Sequence, residues 1–181
     1  MNRLLAGEVV AIAAQPVEIW ELFEDATSLA RVLPGCRELQ ADGPGRFHGL
    51  LEARLAFITV RADVRATLAD PQPPTAVRLD LEGRPRGLAG GFRASIPIRM
   101  APSGVAAASA RSGTAEASGA PPLTTPVHTT VTFDLDLEVS GRLATFGAPL
   151  LRSVMRGQVA TLVRNVEAEV ARRRRAGAGA A

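Results

Sequence analysis

Val131-Thr132-Phe133-Asp134-Leu135-Asp136-Leu137-Glu138-Val139, running straight into Ser140-Gly141-Arg142-Leu143, is the stretch on which the fold turns. Apolar side chains occupy every second position. Thr130, Thr132, Asp134, Asp136 and Glu138 fill the other phase, as in a strand with one buried face. The expected strand covers Val127 to Val139. Beyond Ser140 the period lengthens. Leu143, Phe146, Leu150, Leu151, Val154, Met155, Leu162, Val163, Val166 and Val170 recur at helical spacing from about Arg142 to Arg175. Arg152, Arg156 and Arg164 share the opposite stripe. A helix this long and this apolar needs a sheet to cover it, so the expected class is α+β.

The upstream chain supplies that sheet. Leu5 to Ala14 is apolar, rich in Val and Ile, and reads as a first strand. Gln15-Pro16 opens a helix, because Pro is tolerated in a first turn whose N–H groups lack partners. Val17, Trp20, Leu22 and Phe23 give it an apolar face. A second short helix fits Asp25 to Val32, after which Pro34-Gly35 stops it and turns the chain into a strand. Phe47, Gly49, Leu51, Ala53 and Leu55 share one face of the next strand, followed by a tight corner near Ala56-Phe57. Ile58, Val60, Ala62, Val64, Ala66 and Leu68 then point inward, with Thr59, Arg61, Asp63, Arg65 and Thr67 outward. Asp70-Pro71-Gln72-Pro73-Pro74 makes a turn. Val77, Leu79 and Leu81 mark another strand, and Phe92, Ala94, Ile96, Ile98 and Met100 one more. Pro97, on the outward phase of the latter, suggests an edge position or a bulge. Ala101 to Pro126 is mostly Ala, Ser, Gly, Thr and Pro, and is expected to form a disordered or loosely packed insertion in a hairpin loop.

The 181 residues suffice for one domain with a sizeable core, or a core plus a cavity. The expected domain covers 1–175, with 176–181 as a disordered tail. All 21 basic residues are Arg, and Tyr is absent. With the abundant Ala and Gly, this reads mainly as GC-rich codon usage. The net charge is only +3, so the sequence pI near 10.7 reflects Arg pKa values and no large charge excess. Nucleic acid is therefore not an expected partner, and no aromatic stacking residues lie among the Arg. A single Cys forms no internal disulfide, which fits a reducing compartment. Met1 to Leu5 has no apolar stretch of signal-peptide length, and no run approaches the ~18–20 apolar residues of a membrane span. The expectation is a cytoplasmic protein whose membrane contact, at the inner face, is peripheral.

Residues that carry chemistry are sparse. Cys36 has no adjacent base, and a buried inert thiol outweighs a reactive one, although Arg37 is placed to lower its pKa. His48 and His128 sit on outward phases, as solvated histidines do, and no His/Cys/carboxylate cluster has ligand spacing. Asp134, Asp136 and Glu138 share an outward face where ion pairing with Arg is the expected role. General acid–base work needs a carboxylate in a dry pocket instead. No nucleophile elbow or phosphate loop is present, and neither a metal nor another cofactor is expected. The run Arg172-Arg173-Arg174-Arg175 reads either as a cation cap for the helix or as a patch for anionic lipid headgroups.

Three short motifs carry a family likeness. Ile19-Trp20-Glu21-Leu22-Phe23 places a Trp on the first helix, Leu33-Pro34-Gly35-Cys36 follows, and Ser140-Gly141-Arg142-Leu143 opens the last helix. In this order the chain resembles the CoxG family of the molybdenum carbon monoxide dehydrogenase system. The resemblance implies the helix-grip, START-like fold: a curved antiparallel sheet wrapped around a long C-terminal helix, with two short helices after the first strand. It also implies a non-enzymatic accessory role, with recruitment of a molybdenum hydroxylase to the cytoplasmic membrane. A hydrophobic, lipid-like ligand, such as a quinone, would occupy the cavity. The candidate lining is Leu51, Leu55, Val60, Val64, Leu79, Leu81, Phe92, Ala94, Ile96, Val131, Phe133, Leu135, Phe146, Leu150 and Val154. The candidate membrane surface is Arg156, Arg164, Arg172, Arg173, Arg174 and Arg175. Two alternatives stay open: a cavity enzyme of cyclase or hydrolase type, which needs an inward polar side chain, and a protein-interaction module with a filled core.

The composition of the insertion generates a test. Replacing it with a short Gly-containing turn should leave the melting temperature within a few degrees. A large drop would mean that the segment packs on the domain.

Overall fold

The computed structural model describes residues 2–55, 58–103 and 128–178. In chain order the elements are β1 (Asn2–Ile12), α1 (Pro16–Glu24), α2 (Ala26–Val32), β2 (Cys36–Ala41), β3 (Arg46–Leu55), β4 (Ile58–Gln72), β5 (Ala76–Pro85), β6 (Phe92–Ser103), β7 (His128–Val139), a 3-10 turn (Gly141–Phe146) and α3 (Gly147–Ala178). The strands form one antiparallel sheet in the order β1-β7-β6-β5-β4-β3-β2. This is the helix-grip order expected from the sequence.

Element boundaries depart from expectation where pairing or proline decides them. β1 starts at Asn2 because it pairs with β7 along its whole length, from Asn2↔Val139 to Ile12↔Thr129. The segment 101–103, expected to belong to the insertion, continues β6 opposite Thr130, Thr129 and His128. The rest of the insertion, Val127, the corner Ala56-Phe57 and residues 179–181 lie outside the described residues. β6 is an interior strand, not an edge. Pro97 shifts no register: Ser95↔Asp136 and Ile98↔Phe133 keep the same alignment, and the ladder to β7 is interrupted only between them. β2 carries a register shift between Cys36 and Glu38, which hides its alternation in the sequence. The α-helical part of the last element begins at Gly147 rather than near Arg142. Pro149 then falls in the first turn; an earlier start would place it in the interior, where it removes a hydrogen bond and clashes with the preceding turn. At the other end α3 continues through Ala178, so 176–178 belong to the helix and not to a tail.

Two glycines of the family motifs have geometric reasons. Gly35 has φ +72°, and a Cβ there would run into the Glu52 carbonyl of β3. Its own carbonyl accepts the Glu52 N–H at 2.8 Å. Gly141 has φ +63° and packs backbone-to-backbone on Ala89-Gly90, while the Arg142 N–H donates to the Ala89 carbonyl at 2.9 Å.

The buried apolar residues gather into two clusters, one at each end of α3. Toward its C-terminus, Ile12, Ile19, Trp20, Leu22, Leu29, Val32, Phe47, Val77, Met100 and Val131 surround Val166 and Val170. Trp20 meets Phe23 edge-on, with ring centroids 6.1 Å apart. Toward its N-terminus, Leu4, Val60, Val139 and Leu143 surround Leu151.

A polar clasp fixes the C-terminal end. Glu169, only 5% exposed, accepts from Arg172 and from the Ser28 hydroxyl at 3.1 Å, with Arg31 at 3.7 Å and Arg173 at 3.8 Å. Arg173 also reaches Asp25 at 3.1 Å and Glu21 at 3.6 Å, and it donates to Ser28 Oγ at 2.6 Å. Arg174 grips Glu18 with two bonds of 2.6 Å. Asp25 meanwhile caps α2 by accepting from the Thr27 and Ser28 N–H groups. The acidic sides of α1 and α2 are thus tied to the last turns of α3.

The clasp should be acid-labile. Hydrogen bonds from Arg174, Ser28 and Arg172 hold Glu18, Asp25 and Glu169, respectively, below their ordinary values of 4.5, 3.8 and 4.5. A carboxylate with a lowered folded pKa stabilises the fold fully above its unfolded pKa and loses that contribution as pH falls through the folded value. Melting temperature should therefore hold above about pH 5 and fall below about pH 4. Glu169→Ala should cost about 2 kcal/mol at neutral pH, below the range for fully buried pairs because its Arg partners are half exposed. It should also flatten that acid limb. An unchanged limb would assign the clasp no part in stability.

Candidate functional site

Between the two clusters the inner face of the sheet carries a band that joins neither. Along β5, Val77 belongs to the C-terminal cluster, and Phe92, which lies opposite Gly83, packs on the other; Leu79 and Leu81 stand between. The same interruption runs through Leu51 on β3, Ala62 and Val64 on β4, Ala94 and Ile96 on β6, and Leu135 on β7. Register makes these residues neighbours: Leu51↔Ala62, Val64↔Gly83, Leu81↔Ala94 and Leu79↔Ile96. Leu51, Leu79, Leu81 and Ile96 stay half-exposed although their phase faces the helix. Side chains of this kind reach full burial in a packed interior.

Opposite the band, α3 presents the row Val154, Gln158, Leu162. Val154 packs on the N-terminal cluster and Leu162 on the C-terminal one, so Gln158, four residues from each, faces the band. It is half-exposed. Along the flank between α3 and β1, Glu8 turns inward on β1 and lies 3.7 Å from Arg156, and the Ala13 N–H donates to Glu167 at 2.9 Å. On the other flank the Asn165 amide donates to the Val32 carbonyl at 3.1 Å.

The expected lining divides three ways. Leu51, Val64, Leu79, Leu81, Ala94, Ile96 and Leu135 form the band. Val60, Phe92, Phe146 and Val154 belong to the N-terminal cluster, and Val131 and Phe133 to the C-terminal one. Leu150 is half-buried on α3 outside both clusters, and the side chain of Leu55 lies outside the described residues. Two inward polar side chains are not apparent from the sequence pattern. Glu8 is masked by the apolar run of β1, and Gln158 is marked only by the 154-158-162 spacing of its helix.

The arginines expected at a membrane also divide. Arg172, Arg173 and Arg174 are engaged in the clasp. Arg175 donates to its own helix at Ala171, and Arg164 to Thr161. Arg152, Arg156 and Arg164 are exposed along the outer stripe of α3. No described helix is long and apolar enough to cross a membrane.

Other candidates have ordinary surroundings. The Cys36 thiol is half-buried, and burial pushes its pKa up, while the Arg37 side chain turns away to Glu52 at 2.7 Å. His48 pairs with Asp42 at 2.6 Å, and Asp136 with Arg3. Among the described residues no group of His, Cys, Asp and Glu could hold a metal ion. A groove of about 890 Å³ lies on the outer face of the sheet, where Arg86–Asp63 and Arg93–Glu82 pairs line it. Its charged walls suit water better than an apolar molecule.

Known proteins share both the sequence pattern and the architecture. The carbon monoxide dehydrogenase CoxG family matches residues 7–109, more than half of the 181. No curated protein matches the sequence. A conserved protein from Geobacillus kaustophilus superposes with a TM-score of 0.72 at 19% identity, covering 93% of this chain and 96% of its own. The Zhui aromatase/cyclase from a Streptomyces species does so with a TM-score of 0.60 at 16% identity, covering 97% and 98%. A protein from Thermus thermophilus reaches 0.56 at 18% identity, covering 93% and 97%. At such identities these structures share the fold, and nothing more is carried over from them. The family match over residues 7–109, on a sheet curled around one long helix, makes this chain a member of the carbon monoxide dehydrogenase CoxG family.

Proposed function

We propose that the chain is a non-enzymatic accessory protein that takes up an apolar, lipid-like molecule, such as a quinone, between α3 and the sheet. In that role it recruits a carbon monoxide dehydrogenase-type molybdenum enzyme to the cytoplasmic membrane. The four half-buried inward side chains Leu51, Leu79, Leu81 and Ile96, between two separate clusters, are the observation that carries the reading. An apolar guest would remove that surface from water at about 25 cal/mol per Å². The family match supports the accessory role and the enzyme partner. The enzyme alternative receives little support. Gln158, facing the band, is a carboxamide that exchanges no proton near neutral pH, and the described inward carboxylate, Glu8, is paired with Arg156.

Native mass spectrometry with organic extraction tests uptake: a quinone or another prenyl lipid should be recovered from purified protein. Ala94→Phe, which projects a ring into the band, should keep the melting temperature within a few degrees and abolish recovery. Val170→Phe, in the C-terminal cluster, should cost about 1–3 kcal/mol by overpacking. If Ala94→Phe is as costly and nothing co-purifies, the space is filled and the carrier reading fails.

Membrane contact in this proposal runs through the outer stripe of α3 and not through the clasp. Each Arg near an anionic surface is worth about 1 kcal/mol, screened at physiological salt within about 8 Å. Changing Arg152 and Arg164 together to Gln, which leaves the Arg156–Glu8 pair in place, should weaken binding to anionic vesicles and leave the fold intact. Changing Arg172, Arg173 and Arg174 to Gln should lower the melting temperature. Equal binding to neutral and anionic vesicles would assign recruitment to protein contacts alone.

A further inference from the structure

Gln158 stands out among the polar groups near the space between helix and sheet. Glu8 is held by Arg156, Glu167 accepts the Ala13 N–H, Asn165 donates to Val32, and the buried Thr129 hydroxyl donates to the Ala14 carbonyl at 2.6 Å. Gln158 has no side-chain hydrogen-bond partner among the described residues. It sits between Val154 and Leu162, which pack on the two clusters, and so shares their sheet-facing row. Among the described residues no buried side-chain polar atom lacks a partner, so the unpartnered Gln158 amide stays within reach of water and is free to exchange it for a guest. An apolar residue there would complete the amphipathic face and stabilise the helix–sheet contact. Its amide supplies one acceptor and two donors, so it can meet either a carbonyl or a hydroxyl.

We propose that Gln158 is the polar anchor of the inner space, taking the carbonyl or hydroxyl group of a guest whose remaining surface is apolar. This rests on the ligand-uptake reading and adds to it the chemical class of the guest: a ring or chain bearing a neutral hydrogen-bonding group, in preference to a pure hydrocarbon. The two clusters close the space at either end of α3, and Gln158, midway between them, fixes where along the helix the polar end of the guest lies. Among the described residues no unpaired charge faces the band, so neither a carboxylate nor an ammonium group is favoured there.

Two matched probes separate the anchor from the cavity. Diphenylhexatriene, a hydrocarbon fluorophore, reports the apolar space without engaging an amide. Acetylnaphthalene and ethylnaphthalene differ by a carbonyl in place of a methylene. Displacement of the fluorophore by each gives their relative affinity in the wild-type chain, in Gln158→Met, which nearly preserves volume, and in Gln158→Leu. Both variants should bind the fluorophore as the wild type does and melt at the same or a higher temperature. The preference for the acetyl over the ethyl compound should fall by roughly fivefold, the worth of one net hydrogen bond. An unchanged preference in variants that still bind the fluorophore would overturn the anchor and leave uptake standing. A marked loss of melting temperature in both variants would make Gln158 a structural residue and overturn it as well. No fluorophore binding by the wild type would overturn the uptake reading and the anchor with it.

Discussion

Glu169 is the point on which the architecture depends. A carboxylate buried near the end of α3 is tolerable only because Arg172, Arg173, Arg31 and Ser28 converge on it, and Ser28 comes from a different helix. Satisfying that one charge ties α2 to α3, and the Glu21–Arg173 and Glu18–Arg174 pairs add α1 to them. Once the C-terminal end of α3 is fixed, its middle need not be packed tightly to be held. The core is divided beside it: one cluster lies beneath the clasp, another beneath the first turns of α3, and between them is a band in which Leu51, Leu79, Leu81 and Ile96 are only half-buried.

Much of this is legible in the sequence because it is written in period and punctuation. Alternation along Val131 to Val139 and Val60 to Leu68 assigns every inward side chain correctly, since a strand has only two faces. Pro34-Gly35 and Gly141 mark turns that the backbone geometry requires. What escapes depends on partners distant in sequence. Arg172 to Arg174 look like a free basic patch until Glu18, Asp25 and Glu169 are brought beside them by folding. Pro97 looks like an edge marker because a local pattern cannot reveal that a ladder continues in register on both sides of a missing donor. The sequence shows which residues of the band face inward but not how tightly they pack, because solid cores and cavities use the same residue types.

Membership of the CoxG family and the helix-grip fold agree with each other. Among the described residues the inward groups are apolar, paired, or, in Gln158, an amide without acid–base capacity. The outer face of the sheet, crossed by Arg–Asp and Arg–Glu pairs, is a hydrated surface by contrast.

The one-ended clasp has a mechanical corollary. A 32-residue helix is about 48 Å long, and its ion pairs to α1 and α2 lie in its last few turns. It is therefore a lever with its fulcrum near Arg173. A tilt of about 5° about that point would shift the first turn of α3 by roughly 3–4 Å while moving Gln158 only about half as far. Such a tilt would have to part Leu151 from Leu4, Val60, Val139 and Leu143, so the N-terminal cluster is the latch that sets how far the helix can lift.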